Sequence, residues 1–374
     1  MADPRLVKLA KVLVSYSADV KPGNLVRISG SAVAEPLIVE LYRQVVLAGA
    51  HPMVYMTPDE LSEILYKHGN DEQLKYIAPM TWTMVEKIDR SIGIWGSENT
   101  KALSNCDPGR MAIKSAAMKP FKDRFFERAA KGQLKWVGTQ CPCESSAQDA
   151  EMSLSEYEEF VYRAGLLDQD DPAAAWAKVA QRQQQLVDYL NGKKEMRITT
   201  PQGTDVRFGL EGRTWINCCG HENFPDGEVF TGPVEDSAEG VVVYSFPAWH
   251  NDREVQDIVL RFKAGKVADA SATKHEEYLI KMLDQDEGAC RLGELALGTN
   301  YSITRYTKNT LFDEKIGGTF HTAVGSGYPE TGSKNQSGLH WDMVCDLREG
   351  GIVMVDGETI SENGRFMNLE WPGN

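Results

Sequence analysis

Residues 25–56 run LVRISGSAVAEPLIVELYRQVVLAGAHPMVYM, and this stretch sets the fold of the first half. Leu25 to Ser29 reads as a short buried strand. Pro36 to Ala48 carries Leu37, Ile38, Leu41 and Val45 on one helical face, and Gly49 is placed to stop the helix. Met53 to Met56 reads as the next strand. Upstream, Leu6, Leu9 and Leu13 recur at helical spacing, and Pro22-Gly23 makes a turn. Downstream, Ser91 to Trp95 and Lys135 to Gly138 are two further strands, each preceded by helical sequence. Strands separated by helices predict a parallel sheet flanked by helices. Such sheets often bind nucleotides, but Gly30 is followed by Ser31, Ala32 and Val33. Neither GxGxxG nor GxxxxGK[ST] occurs in the chain, so a dinucleotide or ATP site is disfavoured.

Asp171-Pro172 starts a helix through Trp176, Val179 and Leu186 to about Leu190, and Asn191-Gly192 ends it. The pattern then changes. Arg197 to Thr200, Asp205 to Leu210, Val229 to Thr231, Val241 to Ser245 and Ile258 to Phe262 are short β-type runs between turn signals. The expectation is an α/β N-terminal domain over residues 1–191. A mostly antiparallel β domain over residues 192–374 follows, with one or two helices around Lys274 to Arg291.

Charge and composition narrow the classes of partner. The 374 residues carry a net charge of −14, with 42% apolar and 25% charged residues, the balance of a folded chain. An acidic surface disfavours nucleic acid and anionic lipid. The longest apolar run, Val241 to Trp249, is broken by Pro247 and is far below the roughly 18 residues that span a bilayer. The N-terminus does not read as a secretory signal. The seven cysteines show no disulfide framework and no CxxC pair, which fits reduced thiols. A cytoplasmic location is therefore expected. Cys218, Cys219 and His221 could suggest zinc, but adjacent cysteines point apart and chelate one ion poorly.

The chemistry concentrates in the second half. In His340-Trp341-Asp342, residues i and i+2 of a strand share a face, so an imidazole and a carboxylate stand side by side with Trp341 behind them. Taken alone, such a pair is commonly a strand-edge ion pair. His321 lies among Phe320, Ala323 and Val324 between glycine pairs, and a lone histidine there is commonly a core residue. Glu228 follows the turn Pro225-Asp226-Gly227, and Glu294 follows Gly293. Both open apolar runs, where a carboxylate is costly to bury unless paired or bound to metal. With Tyr328 as a sixth group, two imidazoles and three carboxylates suit a pair of borderline divalent ions such as zinc, cobalt or manganese.

At these residues the chain resembles the thermophilic-type metalloaminopeptidases related to aminopeptidase T. The likeness lies in Asn223-Phe224-Pro225-Asp226-Gly227-Glu228-Val229-Phe230-Thr231 and in Asp286-Glu287-Gly288-Ala289 with Leu292-Gly293-Glu294. It continues in Thr310-Leu311-Phe312-Asp313-Glu314-Lys315 leading to His321 and Tyr328, and in His340-Trp341-Asp342. Asp168 through Trp176 and Gly203-Thr204-Asp205 also match. Specific motifs thus cover about residues 150 to 345, and the first half agrees in layout. The resemblance implies Glu228, Glu294, His321, Tyr328, His340 and Asp342 as ligands of two divalent metal ions (zinc, cobalt, manganese or magnesium). It also implies a homodimer that removes N-terminal residues from peptides with a free N-terminus. The segment from Tyr328 to His340 is short for the family, which bears on the shape of the substrate pocket.

The expected reaction is peptide-bond hydrolysis by a metal-bridging hydroxide. Glu228 is the expected bridging carboxylate because it opens a strand at a tight turn. Tyr328 either ligates or donates to the oxyanion. Glu314 and Glu287 are candidate general bases. Two other classes stay open on the residues alone. His321, His340 and Asp342 would make the facial triad of a non-haem iron oxygenase. A non-catalytic dimeric metal- or peptide-binding protein would carry the same ligands.

Overall fold

In the computed structural model, which describes residues 3–251 and 253–373, the chain divides into two compact units. The first is Met1–Ala173 with Gly220–Pro225; the second is Ala174–Cys219 with Asp226–Asn374. Met1 and Ala2 of the N-terminal stretch lie outside the described residues.

The first unit is built on the parallel sheet that the strand–helix alternation predicts. Its strands are β1 (Leu25–Ser31), β2 (His51–Thr57), β3 (Arg90–Trp95) and β4 (Lys135–Gln140), in the order β2-β1-β3-β4, and the short segment Asn223–Phe224 pairs in parallel with β4. Val26 and Ile28 of β1 are buried, and the period of two sets Arg27 and Ser29 on the other face. Helix α1 (Pro4–Val12) is capped by Asp3, whose carboxylate accepts from the Arg5 N–H. Helix α2 (Glu35–Leu47) buries Leu37, Ile38, Leu41 and Val45, the stripe read from the sequence. Gly49, with φ of +73°, turns the chain after it, a conformation glycine adopts without steric cost.

Helix α3 (Pro172–Leu190) starts at the expected proline. It belongs, apart from its first two residues, to the second unit, so the compact units part near residue 173 and not at the expected 191/192. The cause is packing: Leu186, Val187 and Leu190 are members of the second unit's hydrophobic core. An eight-stranded antiparallel sheet has the Lys266–Ser271 and Arg365–Phe366 strands at its edges and the Glu195–Thr199 strand in its interior. A five-stranded antiparallel sheet contains β5 (Ile216–Cys218), β6 (Glu228–Thr231), β7 (Leu292–Gly298), β8 (Thr319–Gly325) and β9 (His340–Asp346), ordered β9-β8-β7-β6-β5. Met196, Ile198, Phe208 and Leu260 from the first of these sheets meet Leu295, Leu297, Phe320 and Met343 from the second in one core. The expected helix near Lys274 spans Glu276–Leu283.

Candidate metal centre

Register in the five-stranded sheet decides where the five His and carboxylate candidates point. Across the ladders, Glu228 lies opposite Gly298 and His321 opposite Ala296. Ala323 lies opposite both Glu294 and Asp342, and Gly325 opposite His340. With a side-chain period of two, this pairing sets all five on one face. The alternate residues Val229, Leu295, Leu297, Phe320, Val324, Trp341 and Met343 enter the core behind them. Each ligand candidate therefore has alanine or glycine as a cross-strand neighbour, which leaves space above the sheet.

One irregularity makes the pattern work. Leu292 pairs with Val324 and Glu294 with Ala323, so Gly293 is an extra residue on its strand, a β-bulge. Without it, Leu292 and Glu294 would share a face. With it, Leu292 is buried in the core and Glu294 turns to the site. Only glycine fits at the bulge, since a Cβ at 293 would lie 2.2 Å from the Ser326 carbonyl oxygen and 2.5 Å from that of Gly325.

The side chains form two triads that share Glu294. Glu228, Glu294 and His321 offer ligand atoms within 4.8 Å of one another, and so do Glu294, His340 and Asp342. His321 Nε2 lies 3.6 Å from Glu228 Oε2 and 3.5 Å from Glu294 Oε1. His340 Nε2 lies 3.4 Å from Glu294 Oε2 and 3.5 Å from Asp342 Oδ2. Both rings are fixed from behind. The Nδ1–H of His321 donates to the Glu314 carbonyl at 3.1 Å, and that of His340 to the Ser326 carbonyl at 2.8 Å. Each backbone carbonyl fixes the tautomer and aims Nε2 at the carboxylates.

Whether these residues fit metal ions is answered by their unsatisfied atoms. Glu228 Oε2, His321 Nε2 and Asp342 Oδ1 are buried with no hydrogen-bond partner. Buried polar atoms are rarely left so, and each of these belongs to a residue of one of the two triads. Titration behaviour agrees. Burial alone would drive the Glu294 carboxyl up, but His321 and His340 outweigh it and hold it down at about 2. Burial opposes charge on His321, yet Glu294 and Glu228 raise it to about 9. His340 is raised to about 10, with Asp342 and Glu294 overcoming burial. Burial drives Glu228 and Asp342 upward. The site thus gathers carboxylates and imidazoles for which cations compete with protons.

The triads differ in access. The His321 side chain is 1% exposed and that of His340 30%. A cavity of about 200 Å³ opens beside the second triad, lined in part by Trp249, His250, Tyr306, Glu314, His340 and Asp342. Tyr328 is 39% exposed. Its ring packs edge-on to Phe230 at 5.2 Å and to His340 at 5.3 Å. Burial and then the Glu294 and Asp342 carboxylates push its hydroxyl well above the ordinary tyrosine range, so it stays protonated.

The remaining expectations divide. His321 and Asp342 fall in different triads, so His321, His340 and Asp342 are not one of the three-residue groupings among the described residues. Glu287 is exposed and does not line the cavity, whereas Glu314 does. His221 stacks on Tyr16 at 4.7 Å, and neither it nor Cys219 joins a metal-capable grouping among the described residues. Cys218 groups instead with Asp226 and Glu228.

Lys315 was missed by the sequence reading. Its ammonium is 1% exposed and lies 3.1 Å from Glu228 Oε1 and 3.0 Å from Glu314 Oε2. The signal available was three successive charges, Asp313-Glu314-Lys315, inside the apolar frame of Leu311, Phe312 and Ile316; charges so placed must be paired.

Comparison with known proteins agrees with this geometry. The family model described as Thermophilic metalloprotease (M29) matches residues 2–366. Aminopeptidase 2 of Geobacillus stearothermophilus is 27% identical over 97% of this chain and 98% of its own length. Aminopeptidase T of Thermus aquaticus is 35% identical over 54% of this chain and 52% of its own. The solved structure of wild-type AmpT from Thermus thermophilus superposes with a TM-score of 0.86 at 25% identity, covering 97% of this chain and 99% of that one. A 2,5-dihydroxypyridine dioxygenase from Pseudomonas putida shares the fold at 13% identity, with a TM-score of 0.58. A match over nearly the whole chain, with groupings able to hold metal on one sheet face, leads to one conclusion: the chain belongs to the thermophilic metalloprotease family M29.

Proposed function

We propose that the protein is an aminopeptidase that holds two divalent metal ions, one in each triad, and removes N-terminal residues from peptides with a free α-amine. The observation that carries this reading is the pair of triads sharing Glu294, with buried unpartnered atoms on Glu228, His321 and Asp342. Glu228, Glu294 and His321 would hold one ion; Glu294, His340 and Asp342 would hold the other. Glu294, the residue common to both sets, would be shared by the two ions, where the sequence had pointed to Glu228.

When bound, such a pair of ions supplies Lewis acidity and a water of lowered pKa. The protein's own groups do the rest. The Glu314 and Ser326 carbonyls keep both imidazoles aimed at the site. Tyr328, protonated and at the open side, is positioned to donate a hydrogen bond to a developing oxyanion. Glu314 lines the cavity beside the second triad and is the candidate to receive a proton from water or to bind the substrate ammonium. Aminopeptidases are the full-length relatives, and the cavity gives a substrate a place beside the second triad.

The test is elemental analysis with an assay on aminoacyl amides and their N-acetylated counterparts. Two ions per chain, loss of activity in EDTA and recovery with Zn²⁺, Co²⁺ or Mn²⁺ are expected, with acetylated substrates left intact. Equal cleavage of acetylated substrates, or full activity without metal, excludes the proposal. A homodimer forms part of it, checked by light scattering.

A further inference from the structure

The two oxygens of Glu228 meet different surroundings. Oε1 lies 3.1 Å from the Lys315 ammonium. Oε2 is buried, has no hydrogen-bond partner, and lies 3.6 Å from His321 Nε2. Lys315 also spans to Glu314 Oε2 at 3.0 Å. With its side chain 1% exposed, this ammonium is shut away from solvent between the two carboxylates. A buried ion pair adds little net stability relative to an apolar replacement. A fully buried ammonium placed between one ligand carboxylate and one cavity-lining carboxylate therefore calls for a role in the site.

We infer that Lys315 is a positioning residue that confines Glu228 to one ligating oxygen and keeps the Glu314 carboxylate out of the first triad. The inference rests on the proposed reading of Glu228, Glu294 and His321 as metal ligands. Its consequence runs against the usual effect of mutating a metal site. A fixed positive charge beside the ion repels it, and a carboxylate held by one oxygen binds less tightly than one free to chelate. Lys315 thus lowers affinity at the first triad and leaves that ion a position for water or substrate, as an open catalytic site requires.

Titration of the metal-free, full-length protein with Co²⁺ alone tests this. The first-triad binding event is identified as the one lost in Glu228→Ala. In Lys315→Met that event is expected to tighten at least tenfold, while the event lost in Asp342→Ala stays within twofold. The d–d absorption of the first-triad Co²⁺ should weaken as its coordination number rises, and kcat should fall at least tenfold. Looser or unchanged binding at the first triad overturns the inference, as does equal loosening at both. Lys315→Met leaves the buried Glu228 and the partly buried Glu314 without the cation they share. Lys315→Met/Glu314→Gln removes one of them and serves if the single variant fails to fold. Tightening must persist in that double variant, because Glu228 is the group released. Two Co²⁺ ions on the wild type without tightening in either variant refutes this inference alone. No Co²⁺ binding by the wild type refutes the proposed function as well.

Discussion

Glu294 is shared by the two candidate triads, so on the proposed reading both metal positions depend on it. Its removal should be felt at both, whereas removal of a group from one triad should spare the other. We predict that dialysed Glu294→Ala retains no tightly bound metal and loses at least about a hundredfold in activity, the scale on which even groups that merely support ligands are felt. Asp342→Ala should retain one ion per chain; elemental analysis separates the two outcomes. Retention of two ions in Glu294→Ala would remove it from the bridging position. Protonation supplies a second prediction. Without cations His321 and His340 hold protons up to about 9 and about 10, and imidazole must lose its proton to ligate. Metal binding at neutral pH should therefore release protons, and affinity should fall as the pH is lowered. Calorimetry in two buffers of different ionisation enthalpy checks this, and a buffer-independent heat would contradict it. At this scale the five His and carboxylate groups were legible as residue types at chemically suggestive places. The sharing of Glu294 was not, because it depends on distances across four strands.

The β7 bulge shows what sequence patterning could not supply among the secondary elements. Short β runs were visible from Val229 to Thr231 and at His340-Trp341-Asp342, and the alternation rule correctly put Trp341 behind its neighbours. An inserted residue does not announce itself: Leu292-Gly293-Glu294 reads as ordinary alternation, with Leu292 and Glu294 on the same side, until pairing with β8 is known. We predict that Gly293→Ala is destabilised by about 1–3 kcal/mol, the usual cost of forcing atoms into a packed site, because its Cβ would press on two backbone oxygens. It should also bind metal more weakly, since relief of the clash shifts Glu294. Denaturant melts with metal titration provide the check; an unaltered midpoint would mean that the backbone at 325–326 yields freely. Helix α3 tells a similar story. Its start and end were readable from Asp171-Pro172 and Asn191-Gly192, but the unit it joins is set by which core receives Leu186, Val187 and Leu190, and that information lies in the tertiary packing.

For the whole molecule, binding of ions to the folded form alone must stabilise it. With free metal at a hundred times Kd, one site contributes about 2.7 kcal/mol. EDTA-treated protein should melt at lower temperature than reloaded protein, and the difference should shrink in Glu294→Ala. Equal melting temperatures for the two wild-type samples would speak against ion binding. Strand–helix alternation in one half and short β runs in the other made both architectures legible in the sequence. The division near residue 173 and the return of residues 220–225 to the first unit were not, since a segment that revisits an earlier sheet leaves no periodic trace. The order of the ligands along the chain has a further consequence. Glu228 emerges from the ribosome long before Asp342, and Glu294 sits between them, so a growing polypeptide can assemble the first triad only after His321 is made and the second only after Asp342. On the proposed reading, full charging with metal is therefore a late event that waits for translation past residue 342, and a transcript truncated before His340 would yield a protein with at most half a centre.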